Sequence, residues 1–315
     1  MSAAPRQPLE FSQYSGAGND FIVLDERTGA SSRHAATHAK ALCRRGISVG
    51  ADGLILISVN GLETGVSGRM QLWNADGSSA EFSGNAARCA VRYLVDESIA
   101  ASPVRLQTEI GVVEGHVEGA NVRVEVPGTA AVWPQRRIRV EGRDLVGTYV
   151  QVGVPFFVLM HEDPDDLPVR YLGRAIRNHP DLRPAGANVD FARIDDEQNL
   201  YFRVYERGVE AETLSSGTGS IAAALAAAAS HRATSPIACH ARGGVLTVRF
   251  RAVAPPAAEA GSTPAEPTST NEALDNTDLP RVAEGTPLRF AQIQVEGDTR
   301  QVMRGTAFAD ALRLE

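Results

Sequence analysis

The sequence predicts an α/β (α+β) protein of two halves built alike, and three observations carry that prediction. Two short segments, Phe82-Ser83-Gly84-Asn85-Ala86 and Ser215-Ser216-Gly217-Thr218-Gly219, repeat one device, each at the entrance to an Ala-rich helix. Strand-like segments recur around helical ones in a similar order on both sides of Pro127. At 315 residues with 43% hydrophobic content, the chain is long enough to bury two cores.

The opening reads as a strand over 9–14, a tight glycine turn over 15–20 and a strand over 21–25. A helix is expected over 34–43, followed by strands at 54–57 and 70–73 and the turn Asn74-Ala75-Asp76-Gly77. The helix behind the first device covers 86–95, and alternating segments at 104–107 and 121–126 read as strands. The first half is set at 1–127, with 300–315 packing back on it. In the second half, 128–299, strands are expected at 145–152, 156–160, 189–194 and 201–205, with a helix at 171–178 before the second device. Paired strands follow at 244–253 and 288–295. Residues 254–287 are rich in Pro, Ala, Glu, Thr and Ser, which cannot bury enough apolar surface to offset ordering entropy, so a disordered insertion in a hairpin loop is expected there. A tail that orders on a partner is the alternative.

A net charge of −7 argues against a general nucleic-acid or membrane-surface binder. Residues 1–10 hold no signal-peptide core and no apolar run reaches about 18 residues, so a cytoplasmic protein is expected. Cys43, Cys89 and Cys239 are odd in number and, like His34, His38, His161 and His240, lack metal-ligand spacing; no metal and no disulfide framework is expected. The segment Arg136-Arg137-Ile138-Arg139 reads as an exposed strand face. In each device a glycine after a serine lets backbone amides converge at a helix N-terminus, where orphan N–H groups and the macrodipole favour an anion. Two such devices suggest one substrate held between two halves.

Six blocks carry a resemblance to a known family: Gly16-Ala17-Gly18-Asn19-Asp20-Phe21, Gly50-Ala51-Asp52-Gly53, Asn74-Ala75-Asp76-Gly77-Ser78, Ser83-Gly84-Asn85-Ala86-Ala87-Arg88-Cys89, Gly186-Ala187-Asn188-Val189, and Glu206-Arg207-Gly208 with Glu212 to Gly219. Together, and in this order, they resemble diaminopimelate epimerase over nearly the whole chain except the insertion. The resemblance implies two pseudo-symmetric domains, each a barrel-like sheet around a central helix, with the substrate in the cleft between them. It also implies a cofactor-free epimerase converting LL- to meso-diaminopimelate in lysine and peptidoglycan precursor synthesis. One thiol of that family removes the α-proton on one face and a second returns a proton on the other.

This sequence departs from the pattern at both thiol positions, where it has Ser83 and Ser216. A thiol can be brought into range by a helix N-terminus, whereas an alcohol is far less acidic. A second departure lies at Gly153-Val154-Pro155-Phe156, where the family commonly carries a Pro-His pair; Val154 and Phe156 supply shape but no hydrogen bond.

The resemblance places Asn19, Asn74 and Asn188 at the substrate's polar ends, against the alternative that each stabilises its own turn. It places Glu206 and Arg207 at the distal amino-carboxylate end, against a surface ion pair worth under about 1 kcal/mol. Gly84, Asn85, Gly217 and Thr218 would present amides to the α-carboxylate, while Ser83 and Ser216 can also cap their helices. Cys89 falls on an apolar helix face and reads as buried and inert. The partner expected is a small amino-acid substrate, with a homodimer left open. Two further readings stand beside the epimerase: an amino-acid dehydratase or lyase that abstracts a proton on one face, and an inactive amino-acid-binding homologue.

Overall fold

The computed structural model describes residues 8–184, 186–195, 198–253 and 285–312; the insertion expected at 254–287 lies outside the described residues but for its last three. Four helices are used below: α1 (Ser32–Leu42), α2 (Gly84–Asp96), α3 (Val169–Arg177) and α4 (Gly217–Ala229).

Among the described residues the strands close into two rings. In the first, Leu9–Gly16 pairs antiparallel with Asn19–Asp25, which runs parallel to Gly53–Ser58. Gly68–Asn74, Val104–Thr108, Gly111–Glu118 and Asn121–Val126 continue the ring. The 20-residue strand Leu288–Ala307 then closes it by pairing with Asn121–Val126 on one stretch and with Leu9–Gly16 on another. The second ring runs from Ala130–Val140 through Arg143–Val152, Val154–Met160, Asn188–Ile194, Asn199–Glu206, Ile237–Ala241 and Gly244–Val253. It closes on the same long strand, at Leu246↔Gly297 and Leu288↔Val132. Each ring thus has eight strands and the two share one. This is an α+β fold of two barrels built to one plan.

Each barrel is filled by a helix. In α4 all thirteen residues are buried, and seven of the nine from Ile221 to Ala229 are alanine. A helix enclosed by strands has no solvent face, so it shows no polar stripe and carries small side chains all round. Helix α2 buries ten of its thirteen residues, among them Cys89, as expected from its apolar face. Residues around both central helices belong to one continuous core. By contrast, α1 and α3 lie outside the rings over smaller cores of their own.

The strand expected at 288–295 runs on to Ala307. Arg300, Gln301 and Arg304 are exposed along that extension, so no apolar alternation marks it in the sequence. Arg136, Arg137 and Arg139 are exposed on the strand Ala130–Val140, with Ile138 turned inward, as their pattern predicts.

The turn at Ala17-Gly18 reaches from the first ring to the second. Gly18 has φ +82°, and a Cβ on it would lie 2.7 Å from the Cα of Gly243. Both conformation and space therefore require glycine. Gly18→Ala is expected to cost about 2 kcal/mol or more in urea unfolding, against about 1 kcal/mol for Gly119→Ala, which has a positive φ but open space. Equal losses would contradict a backbone-to-backbone contact between the halves.

Candidate active site

The two devices are the same object in three dimensions. Ser83 caps α2 at φ −144°, ψ 125°, and Ser216 caps α4 at φ −138°, ψ 121°. Ser83 Oγ accepts from the Ala86 N–H at 3.3 Å, and Ser216 Oγ accepts from the Gly219 N–H at 3.1 Å. The next amides, Ala87 and Ser220, donate to the carbonyls of Ser83 and Ser216. That leaves the first two amides of each helix, Gly84 and Asn85 on one and Gly217 and Thr218 on the other, as orphan donors.

The two helix N-termini meet at Gly217, Gly84 and Asn85. A Cβ on Gly217 would stand 3.0 Å from Asn85 Oδ1 and 3.2 Å from both the Asn85 nitrogen and the Gly84 Cα. A side chain at 217 would push the helix ends apart by a few tenths of an ångström. Two positive dipole ends therefore converge on one floor, which suits a carboxylate.

Above the floor lies a cleft of about 690 Å³ lined from both rings. Ser83, Asn19 and Asn74 line it from the first half; Thr218, Asn188, Glu206 and Arg207 line it from the second. Gly84, Asn85, Ser216 and Gly217 are buried behind Ser83 and Thr218 and do not themselves line the cleft. Val154 also lines the cleft, whereas Phe156, two residues further along the same strand, is fully buried in the core around the central helices. The distal departure thus resolves into one cleft residue and one packing residue.

The three asparagines are held by named partners. Asn19 Oδ1 accepts from Asn85 Nδ2 at 3.2 Å, and its Nδ2 donates to Asp52 at 2.6 Å. Asp52 is in turn paired with Arg45 at 2.8 Å, and Arg45 also bonds Asp20. Asn74 Nδ2 donates to Ser78 Oγ at 2.9 Å, closing its own turn. Asn188 Oδ1 accepts from the Arg207 N–H at 2.7 Å, and its Nδ2 reaches the Pro155 carbonyl at 3.4 Å. Asn74 thus combines a turn-closing bond with a cleft-lining position, whereas Asn188 lines the cleft while tying together separate segments of the second ring.

Burial pushes the Glu206 carboxyl up to about 7, against the partial relief of a hydrogen bond from Thr213. Burial likewise pushes the Cys43 and Cys89 thiols up to about 12 and raises Cys239 further, so none of the three is a ready thiolate. Among the described residues no group of three or more His, Cys, Asp or Glu is placed to hold a metal ion, and no helix is long and apolar enough to cross a membrane. Sequence reasoning passed over Asp52 and Arg45, which hold Asn19, and Trp73, which lines the cleft. It also passed over Asp190, fully buried in a strand. The only sequence signal for Asp190 is an acid inside the apolar run Val189-Asp190-Phe191-Ala192.

A family model described as diaminopimelate epimerase matches residues 11–133 and 148–263. A diaminopimelate epimerase of Aquifex aeolicus (strain VF5) is 38% identical over 228 residues, 69% of this chain and 80% of that protein. One of Hydrogenobaculum sp. (strain Y04AAS1) is 36% identical over 226 residues, 68% of this chain and 80% of that protein. Among solved structures, a probable proline racemase from Agrobacterium radiobacter K84, with bound carbonate, has a TM-score of 0.69 at 13% identity, covering 98% of this chain and 96% of that one; it shares the fold. The chain belongs to the diaminopimelate epimerase family.

Glu206 gives the cleft a pH signature. Its folded pKa lies above its ordinary value of 4.5, so its favourable contribution is complete below 4.5 and is lost as pH rises to about 7. Glu206→Gln, neutral throughout, escapes that loss. Its stability relative to the parent is expected to rise between about pH 4.5 and pH 8 in urea titrations. A pH-independent difference would contradict a desolvated carboxyl at 206.

Proposed function

We propose that this member of the diaminopimelate epimerase family is a cofactor-independent isomerase converting LL- to meso-diaminopimelate, within lysine and peptidoglycan precursor synthesis in the cytoplasm. The observation that carries the proposal is the contact of two serine-capped helix N-termini beneath a cleft that both halves line.

In this proposal the α-carboxylate takes the amides of Gly84, Asn85, Gly217 and Thr218. Those donors also stabilise the charge that spreads into the carboxylate as the α-proton leaves. Ser83 and Ser216 stand at the two proton-transfer positions, one contributed by each half. Asn19, Asn74 and Asn188 bind the substrate's polar groups, and Glu206 with Arg207 takes the distal amino-carboxylate. Arg207 supplies the positive partner for a carboxylate, and Glu206 an acceptor for an ammonium group. Val154 shapes the distal wall without a polar contact. Closure of the cleft on the substrate excludes water from the carbanion.

The hydroxyls set the rate. Each pKa unit by which a serine exceeds a thiol adds about 1.4 kcal/mol to the charge-separated state. The N–H that each Oγ accepts lowers this cost, because it favours the oxygen with more negative charge. A slow epimerase is therefore expected.

The test is incubation of the full chain with LL-diaminopimelate in D₂O, followed by NMR. Deuterium entry at the α-carbon with inversion supports the epimerase; loss of water points to a dehydratase, and tight binding with neither to an amino-acid-binding homologue. Ser83→Cys combined with Ser216→Cys is expected to raise the rate about a hundredfold or more. Unchanged activity in a folded double variant would overturn the placement of the two positions.

A further inference from the structure

Asp190 is fully buried in the strand Asn188–Ile194, and neither of its carboxyl oxygens has a hydrogen-bond partner among the described residues. No other carboxyl among the described residues is both buried and unpartnered in this way. Leaving a polar group in that state is costly, so the position calls for a reason.

Gly219 locates the carboxyl. A Cβ built on Gly219, in the first turn of α4, would lie 3.1 Å from Ser216 Oγ and 3.3 Å from Asp190 Oδ1. The two oxygens thus flank one point, short of a hydrogen bond in this structure. Ser216 Oγ accepts from the Gly219 N–H, which leaves its own O–H free to donate. Among the described residues the first ring has no acid at the equivalent position. Phe156 pairs with Asn188 as Phe21 pairs with Gly53, so the position matching Asp190 is Ile55, a core residue.

We propose that Asp190 is the proton partner of Ser216, making the two faces of the site chemically unequal. The proposal rests on Ser216 standing at a proton-transfer position. On abstraction the Cα–H bond breaks and its proton passes to Ser216 Oγ. The Oγ–H proton passes to the Asp190 carboxylate, and the electron pair stays on the substrate. Delivery runs the same steps backwards. Charge moves between carbon and carboxylate, and a free alkoxide never forms. Asp190 does not touch the substrate, so it is a positioning residue acting through Ser216. Burial and the neighbouring Glu206 carboxylate raise its pKa well above the ordinary range, which brings it closer to that of the alcohol it serves.

Two measurements on the full chain test this. In D₂O with LL-diaminopimelate, Asp190→Asn is expected to lower kcat for deuterium entry about a hundredfold with KM little changed, and Asp190→Glu to recover part of it. In a Ser216→Cys background, alkylation against pH reports the thiol at 216 without needing turnover; replacing Asp190 by Asn is expected to shift its apparent pKa downward. An unshifted thiol, or wild-type kcat in folded Asp190→Asn, overturns the proposal. A shifted thiol in a protein inert toward diaminopimelate upholds the Asp190–Ser216 pair and overturns the substrate assignment instead. The two failures are therefore distinguishable.

Discussion

The contact between Gly84 and Gly217 is the constraint on which the site depends. Each helix N-terminus carries roughly half a positive charge, and two such ends pressed together repel. They stay together because each helix is sealed inside its own ring of strands and both rings share the strand Leu288–Ala307. The fold imposes the juxtaposition, and only a negative charge at the same point relieves it. In the proposed function the substrate's carboxylate does so, held by backbone amides at the two helix ends.

In the proposed reaction Ser83 and Ser216 carry two duties that pull in opposite directions. As N-caps they each hold one amide of the first turn, a contribution of about 1 kcal/mol per helix, and an oxygen accepts that bond better than sulfur does. As proton-transfer groups they are weaker than thiols. Serine thus firms the helix ends and slows the chemistry. The capped amides partly reconcile the two, since a bond that stabilises the resting hydroxyl stabilises a more negative oxygen still more.

Much of this was legible because it is local. Cap geometry follows from a serine, a glycine and the helix behind them, so both devices were readable at Ser83 and Ser216. Most helix and strand limits fall within two residues of the sequence pattern for the same reason. Ring closure was not legible, because pairing between Leu9 and Ala307 joins residues whose separation no periodicity records. The extension of the last strand was hidden by the exposed polar residues of 300–304. Val154 and Phe156 share a strand face, and alternation gives them the same environment; only the strand's descent from cleft to core separates their roles. Asp190 looked like any acid, since burial is a property of the barrel that surrounds it.

The buried charges beneath the floor complete the picture, and they are of opposite kinds. Arg88 on α2 is fully buried; its Nε donates to Thr299 on the shared strand at 3.4 Å, while Nη1 and Nη2 have no partner among the described residues. Burial lowers its pKa to about 10, which leaves it cationic at neutral pH. A Cβ on Gly16 would meet Arg88 Nη2 at 3.2 Å and the Asn85 carbonyl at 3.3 Å, so this charge rests against the first turn of α2. On the α4 side burial, with the Glu206 carboxylate nearby, raises the pKa of Asp190 well above the ordinary carboxyl range. In the proposed site a substrate carboxylate on the floor meets a dipole with a full cation behind it from one half, and a dipole with the Asp190 carboxyl behind it from the other. A symmetric backbone thus carries asymmetric buried groups, which in the proposed reaction suit the α2 side to holding charge and the α4 side to exchanging a proton.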